Sequence, residues 1–353
     1  MKDNKAILVG ITSGDINGIG PEVSLKTLQE GLVTQGKIIP ILYHYPKVFL
    51  HQKKTLKIDD FRFQTIHSPE QARAKVANYI DVDLQNHKVE FGKNSVLASQ
   101  LAFRSFEVAT RDLQEGKIDV LVTAPLGKNM EEANFTGHTE YLGELFNATP
   151  LMMMVSDNMH LALATTHVPL AEVSEKITAE LLEKKINIFY QSLQEDFGIL
   201  NPKIAVLGLN PHAGEEGKLG TEDTEIIAPL VKKMFEKEQK LIFGPFAADG
   251  FFAYGNFQHF DGIFAMYHDQ GLIPFKLLSE GLGVNFTAGL PVIRTSPIHG
   301  TAHNIAGKGI ADHRSMRMAI EYGAKIFEQR KTYRELKENA LGFKQQNEKE
   351  RNS

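Results

Sequence analysis

GIFAMYHDQGLIPFK, residues 262–276, joins a short apolar run to a histidine and then to a mixed segment that ends in a lysine. GIFAMY reads as a strand buried on both faces, the pattern of a parallel sheet. Two other stretches repeat the arrangement: LALATT (161–166) runs into His167, and IAVLGLN (204–210) into Pro211-His212. In an open α/β sheet the residues just past the carboxyl ends of parallel strands converge on the ligand crevice, so His167, His212 and His268 can converge. Three neutral imidazoles form a common site for zinc and similar divalent ions and leave positions open for substrate. Coincidence is the alternative, because thirteen histidines place some after strands by chance.

Outward from these runs the chain alternates strand and helix patterns. AILVGI (6–11) is another buried strand, and it ends in TSGDINGIGPE (12–22), where Pro21 and Glu22 suit the first turn of a helix. The glycine spacing there matches neither the dinucleotide nor the nucleotide-triphosphate fingerprint. Residues 37–45 and DVLVTAP (119–125) are further strands, and amphipathic patterns predict helices over 95–115, 178–197, 221–235 and 315–330. Residues 47–94 carry no motif, and the polar, charged run from Lys331 onward is expected to fray or be disordered. This alternation predicts an α/β fold with a mostly parallel sheet, and 353 residues suggest about two domains.

Composition narrows the function classes. With 42% hydrophobic and 23% charged residues the chain is ordinary globular material, and a net charge of −4 gives no footing for nucleic acid. There is no cysteine, which removes disulfides, thiolate metal sites and cysteine nucleophiles together. The first apolar run is too short for a signal peptide and no later run approaches a membrane span, so a cytoplasmic protein is expected.

Between Met266 and Asp312 the residues His268, Lys276, Asn285, Arg294 and His299 sit among glycines and prolines with few other charges. Two fixed cations, an amide and metal-capable imidazoles suit the capture of a small anion beside a bound cation. Singly, each also reads as a loop or surface residue. His138 and Thr139, in GHTEYL (137–142), open a helix where an imidazole, a hydroxyl and free backbone N–H groups can reach a ligand; a plain Thr cap is the alternative.

TTHVPL, NPHAGE, YHDQGLIPFK, NFTAGLPVIRTSP, GHTEYL and the HGTAxxIAGKGIAD pattern (299–312) resemble the 4-hydroxythreonine-4-phosphate dehydrogenase family of pyridoxal phosphate biosynthesis. The likeness implies two α/β/α domains around a cleft, with the fold of isocitrate and isopropylmalate dehydrogenases. One domain would be discontinuous, 1–135 plus 285–353 with the cofactor loop, and the other, 136–284, would carry metal and dimer contacts. It implies NAD- or NADP-dependent oxidation of 4-phosphooxy-L-threonine with a divalent ion (zinc, cobalt or magnesium) on His167, His212 and His268. The substrate would meet His138, Thr139, Lys276, Asn285 and Arg294. The cofactor would meet His299, Gly300, Gly307 and Gly309. Lys276 is a candidate general base if burial or the metal depresses its pKa, and Asp249 is an acid/base carboxylate or a turn residue. A homodimer in which one ligand histidine crosses from the partner is also implied.

The chain departs from the family pattern at Ile16-Asn17, where GDPAGIGPE is common, and at Ile298 and Asn304, where the common motif carries acids. Alternatives of the same chemistry are 4-phosphorylated threonate or erythronate as substrate. A three-His hydrolase or lyase without nicotinamide is the alternative of another class, and a phosphate-sugar binding protein would explain the cations but not the histidines.

Overall fold

A computed structural model describes residues 6–29, 36–58, 63–82, 88–127 and 137–351. The first five residues, part of the signal-peptide reading, lie outside these. The chain forms two compact units, Met1–Ser156 with Leu278–Ala324, and Asp157–Leu277 with Lys325–Ser353. The boundaries read from the sequence, 135/136 and 284/285, differ: residues 136–156 and 278–284 fall in the first unit and 325–353 in the second. β-Strand pairing accounts for part of this shift, because the strands at 151–156 and 284–288 are neighbours in the sheet.

The first unit holds strands β1 (Ile7–Thr12), β2 (Ile38–His44), β3 (Phe63–Ile66), β4 (Ala77–Asp81), β5 (Val120–Val122) and β6 (Leu151–Ser156). The second contributes β7 (Met159–Leu163), β8 (Ile204–Leu207), β9 (Ile242–Phe246) and β10 (Gly262–Ala265), before β11 (Val284–Ala288) and β12 (Arg294–Pro297) return to the first. Strand order in the first unit is β3-β4-β2-β1-β5-β12-β11-β6, parallel except where β11 runs antiparallel to β12 and β6. In the second the order is β7-β10-β8-β9, all parallel. The mostly parallel α/β architecture expected from the uninterrupted apolar runs is present, because strands such as VLV at 120–122 are buried along their whole length.

The helices are α1 (Gly20–Thr27), α2 (Pro46–Thr55), α3 (Val96–Gln114), α4 (His138–Leu145), α5 (Val173–Lys176), α6 (Ala179–Glu195), α7 (Ala228–Glu236), α8 (Ala248–Ala253), α9 (His268–Leu278) and α10 (Arg314–Arg351). α3 and α6 start at hydroxyl caps: Ser95 accepts from the N–H of Ala98, and Thr178 from that of Leu181. α3 lies on β1, β2 and β5 and buries Leu101, Phe106 and Leu113 against Ile41, Tyr43 and Leu121. Truncating Phe106, which is fully buried, would cost roughly 3–5 kcal/mol.

One expectation fails at the chain's end. α10 does not stop near residue 330 but continues to Arg351. Its first half buries Met316, Ile320 and Ile326. From Lys331 to Asn339 the run KTYRELKEN is composed mostly of good helix formers, which carry the helix on with little burial.

Candidate active site

In the first unit the site is organised on a buried cation. Arg294, at the start of β12, is 4% exposed. Its Nε and Nη2 both donate to Thr123 Oγ1 (3.0 and 2.6 Å), and Nη1 donates to Thr287 Oγ1 at 3.1 Å. Burial lowers its pKa to about 10, with Glu140 acting in the other direction, so the guanidinium stays charged near neutral pH. Among the described residues these hydroxyls are its hydrogen-bond acceptors and no ion pair forms. A buried cation held by neutral groups has an unmet demand for an anion.

His138 begins α4, with its Nε2 shut off from solvent and its ring edge-on to Phe106 at 4.6 Å between centroids. Burial, assisted by the charge of Arg294, pushes its pKa well below the ordinary imidazole value. The ring is therefore neutral and offers one donor and one acceptor. Thr139 follows it in the first turn, half-buried. Asn285 lies on β11, with Oδ1 buried and without a hydrogen-bond partner among the described residues.

The segment from His299 to Gly309 also belongs to the first unit. His299 Nδ1 lies 3.2 Å from the Gly300 carbonyl oxygen, its Nε2 is buried with no hydrogen-bond partner among the described residues, and burial lowers its pKa. Gly300 has open space where a Cβ would stand, so a ligand can approach the backbone there. Gly307 and Gly309 adopt φ of 76° and 70°, left-handed values that disfavour side chains. Lys26 Nζ donates to the carbonyls of Gly309 (2.9 Å) and Ala311 (2.8 Å), while Glu22 Oε1 accepts from the N–H of Ala311 at 2.8 Å. Sequence reading missed this clamp, whose signal was the GPE at 20–22 with a lysine one turn on. The orphaned imidazole nitrogen of His299 and the open backbone at Gly300 fit a dinucleotide.

Asn17, where the family pattern has a small residue, is buried and fully engaged. Its Oδ1 accepts from Glu90 N (2.7 Å), and Nδ2 donates to the Lys93 carbonyl (3.1 Å) and Ser95 Oγ (3.3 Å). Asp15 beside it reaches His303 Nε2 at 3.0 Å. The turn therefore keeps its form through side-chain bonds that a family comparison of glycines does not reveal.

In the second unit His167, His212 and His268 follow β7, β8 and β10, three adjacent parallel strands. The rings of His167 and His268 face each other with centroids 6.1 Å apart, and His268 Nδ1 lies 2.6 Å from Asp269 Oδ1, leaving Nε2 as the free ligand atom. No group of three or more metal-capable side chains forms among the described residues. The chain thus brings together two imidazoles of suitable chemistry, and His212 does not join them as a third.

His212 stands in an unusual turn. Residues 212–216 all have positive φ, and four of them (His212, Ala213, Glu215, Glu216) are not glycine. Left-handed backbone costs roughly 1–2 kcal/mol per such residue, so something must hold it. Asp223, fully buried, accepts from Leu209 N at 2.8 Å and from Asn210 N and Nδ2 at 3.0 Å each. His212 shares a cavity of about 560 Å³ with Asp249, Tyr267, Asp269 and Gln270. Asp249 is exposed in the first turn of α8, and Lys276 is exposed in the last turn of α9. The burial that a general-base role for Lys276 calls for is not supplied by this chain.

Comparison with known proteins gives a consistent likeness. A family model described as pyridoxal phosphate biosynthetic protein PdxA matches residues 37–323. A 4-hydroxythreonine-4-phosphate dehydrogenase of Bacteroides thetaiotaomicron is 47% identical over 349 residues, covering 97% of this chain and 94% of the relative. A D-threonate 4-phosphate dehydrogenase of Cupriavidus necator is 40% identical over 326 residues, covering 90% and 97%. The crystal structure of a 4-hydroxythreonine-4-phosphate dehydrogenase from Klebsiella pneumoniae superposes with a TM-score of 0.78 at 33% identity, covering 92% of this chain and 99% of that one.

Proposed function

Because this chain belongs to the PdxA family of pyridoxal phosphate biosynthetic proteins and is a dehydrogenase, we propose that it oxidises the 3-hydroxyl of 4-phosphooxy-L-threonine with NAD or NADP. The 2-amino-3-oxo-4-phosphooxybutanoate formed is a β-keto acid. Breaking its C1–C2 bond releases carbon dioxide, and proton uptake at C2 gives 3-amino-2-oxopropyl phosphate. The observation that carries the reading is Arg294, a buried cation whose partners are all hydroxyls.

A bound nicotinamide would supply the hydride acceptor for C3, and a divalent ion such as zinc, cobalt or magnesium would supply a Lewis acid for the 3-hydroxyl. Arg294 binds one anionic end of the substrate, and Lys276 supplies the second cation. His138, neutral, bonds a substrate hydroxyl without adding positive charge beside Arg294. Thr139 donates its hydroxyl, and Asn285 Oδ1 accepts from the group on C2. Gly300, with open space at its Cβ position, admits the dinucleotide backbone, Gly307 and Gly309 turn the loop around it through positive φ, and His299 Nε2 donates or accepts at its edge. Asp249 is the candidate to take the hydroxyl proton and return one to C2, and Lys276, exposed in this chain, would share that role only where the bound ion suppresses its charge.

His167 and His268 hold the ion together with an imidazole from a second copy of the chain, which makes the active form a homodimer. Exposed Ile273 and Leu277, one turn apart on α9 and both on the wall of the His212 cavity, support a covered surface there. No helix among the described residues is long and apolar enough to cross a membrane.

A second reading, favoured by the Cupriavidus necator relative, is that the substrate is a 4-phosphorylated threonate. Purified protein with a divalent ion, NAD or NADP, and each phosphorylated acid in turn decides between them by nicotinamide absorbance. A higher kcat/KM on 4-phosphooxy-L-threonine supports the first reading, a higher value on the threonate the second, and no reduction with either overturns both.

A further inference from the structure

α2 and residues 88–89 play no part in the site described above, yet they line a groove of about 640 Å³ with Lys47, Leu50, His51, Lys53, Lys54, Lys88 and Val89. Every charged side chain in this lining is basic, on a chain whose net charge is −4. Lys88 has Glu90 at 3.5 Å, but Lys93 holds that carboxylate more closely at 2.8 Å. Clustered lysines repel one another, and a bound anion removes that repulsion.

The groove shares a wall with the glycine loop. His51 lies against Phe91 at 5.3 Å between ring centroids and 35° between planes. Phe91 in turn abuts Gly307, where a Cβ would come within 2.5 Å of its ring, and Leu56 at the end of α2 would meet a Cβ on Gly309 at 3.3 Å. The side chains of Phe91 and Leu56 thus form a wall between the loop at 307–309 and α2, the helix that carries Lys47, Lys53 and Lys54. Leu50 and Val89 add an apolar flank that suits a base or ribose edge.

We propose that this groove binds the 2'-phosphate of NADP and gives the chain a preference for NADP over NAD. The phosphate carries nearly two negative charges at neutral pH, the chemistry that a lysine cluster recognises and the 2'-hydroxyl of NAD lacks. Exposed lysines bind through screened charge, so the preference shrinks as salt is raised. The inference rests on residues 299–309 being the dinucleotide loop.

Calorimetric titration of the full chain with 2',5'-ADP, 5'-AMP and inorganic phosphate tests it without turnover. The expected result is 2',5'-ADP binding about tenfold more tightly than 5'-AMP, the scale of one charge-assisted contact. The double variant Lys47→Gln/Lys54→Gln should erase that difference while its affinity for 5'-AMP holds, with the circular dichroism spectrum reporting intact folding. Equal affinity for the two nucleotides in the wild type, or a preference that survives in the variant, overturns the groove and leaves the loop reading standing. Inorganic phosphate binding as tightly as 2',5'-ADP also overturns it, by making the groove a general phosphate site. Failure of both nucleotides to bind, while the phosphorylated substrate still does, removes the loop reading and the proposal with it.

Discussion

Thr123 Oγ1 accepts two hydrogen bonds from Arg294, from Nε at 3.0 Å and Nη2 at 2.6 Å, across 171 positions of sequence. This hydroxyl, with that of Thr287 at 3.1 Å from Nη1, orients the buried guanidinium. Thr123→Val keeps the shape and removes the acceptor. Leaving a buried charged donor unsatisfied costs roughly 1–3 kcal/mol or more, so the urea midpoint should fall and substrate KM rise, while Thr123→Ser restores both. A Val variant with unchanged KM would mean that Thr123 does not position the cation.

Arg294→Ala and Lys276→Ala are expected to weaken binding of the phosphorylated substrate by about ten to a hundredfold, the range of a charge-assisted contact, and to leave NAD affinity much less changed. Titration of each ligand separately checks this. Equal losses for both ligands would point to general unfolding instead.

Any one of His167→Ala, His212→Ala or His268→Ala should remove most of the bound divalent ion, measured by elemental analysis after gel filtration. Since the described residues bring only His167 and His268 face to face, metal retention should also fall on dilution into the monomer range, followed by sedimentation. Unchanged metal in all three variants sinks this site, and a monomer with full metal sinks the shared one.

Asp223→Ala removes three hydrogen bonds to Leu209 and Asn210, which lead into the left-handed turn at residues 212–216. With roughly 1–2 kcal/mol stored per left-handed non-glycine residue, the freed segment should relax and His212 should leave its place. The expected outcome is a lower Tm, faster proteolysis within 209–220 and lower metal content. Asp223→Asn, with one acceptor oxygen instead of two, should fall between.

Acid should destabilise the fold through its buried histidines. Burial lowers the pKa of His44 from 6.5 to about 4, and its Nδ1 accepts the N–H of Tyr45 at 2.8 Å. The unfolded chain binds the proton first, so stability is complete above pH 6.5 and is lost as pH falls from there toward 4, by about 3 kcal/mol for this group. His138, His160 and His299, also lowered by burial, act in the same direction. Tm measured against pH should slope less steeply over that window in His44→Asn. An identical slope would remove His44 as a cause.

Much of the fold was legible locally. A strand buried on both faces needs an unbroken apolar run, and a helix needs a cap and a stripe, so β1, β2, β10, α3 and α6 could be read within a residue or two of where they lie. The placing of His167, His212 and His268 after strands followed from the same runs. Other features depend on residues far apart in the chain and had no local signature. The antiparallel course of β11 between β12 and β6 arises from pairings that composition does not encode. The partners of Arg294, the buried Asp223 under the His212 turn, and the Lys26 and Glu22 clamp on the glycine loop come from distant segments. Residues 47–94 looked empty because a charged groove exists only once α2 and residues 88–89 stand side by side. The sequence by itself determined which segments become buried strands and which side chains could carry the chemistry, since those depend on near neighbours. Only the tertiary structure decided which of these side chains are desolvated, oriented or brought together, because desolvation and charge coupling depend on distance in space.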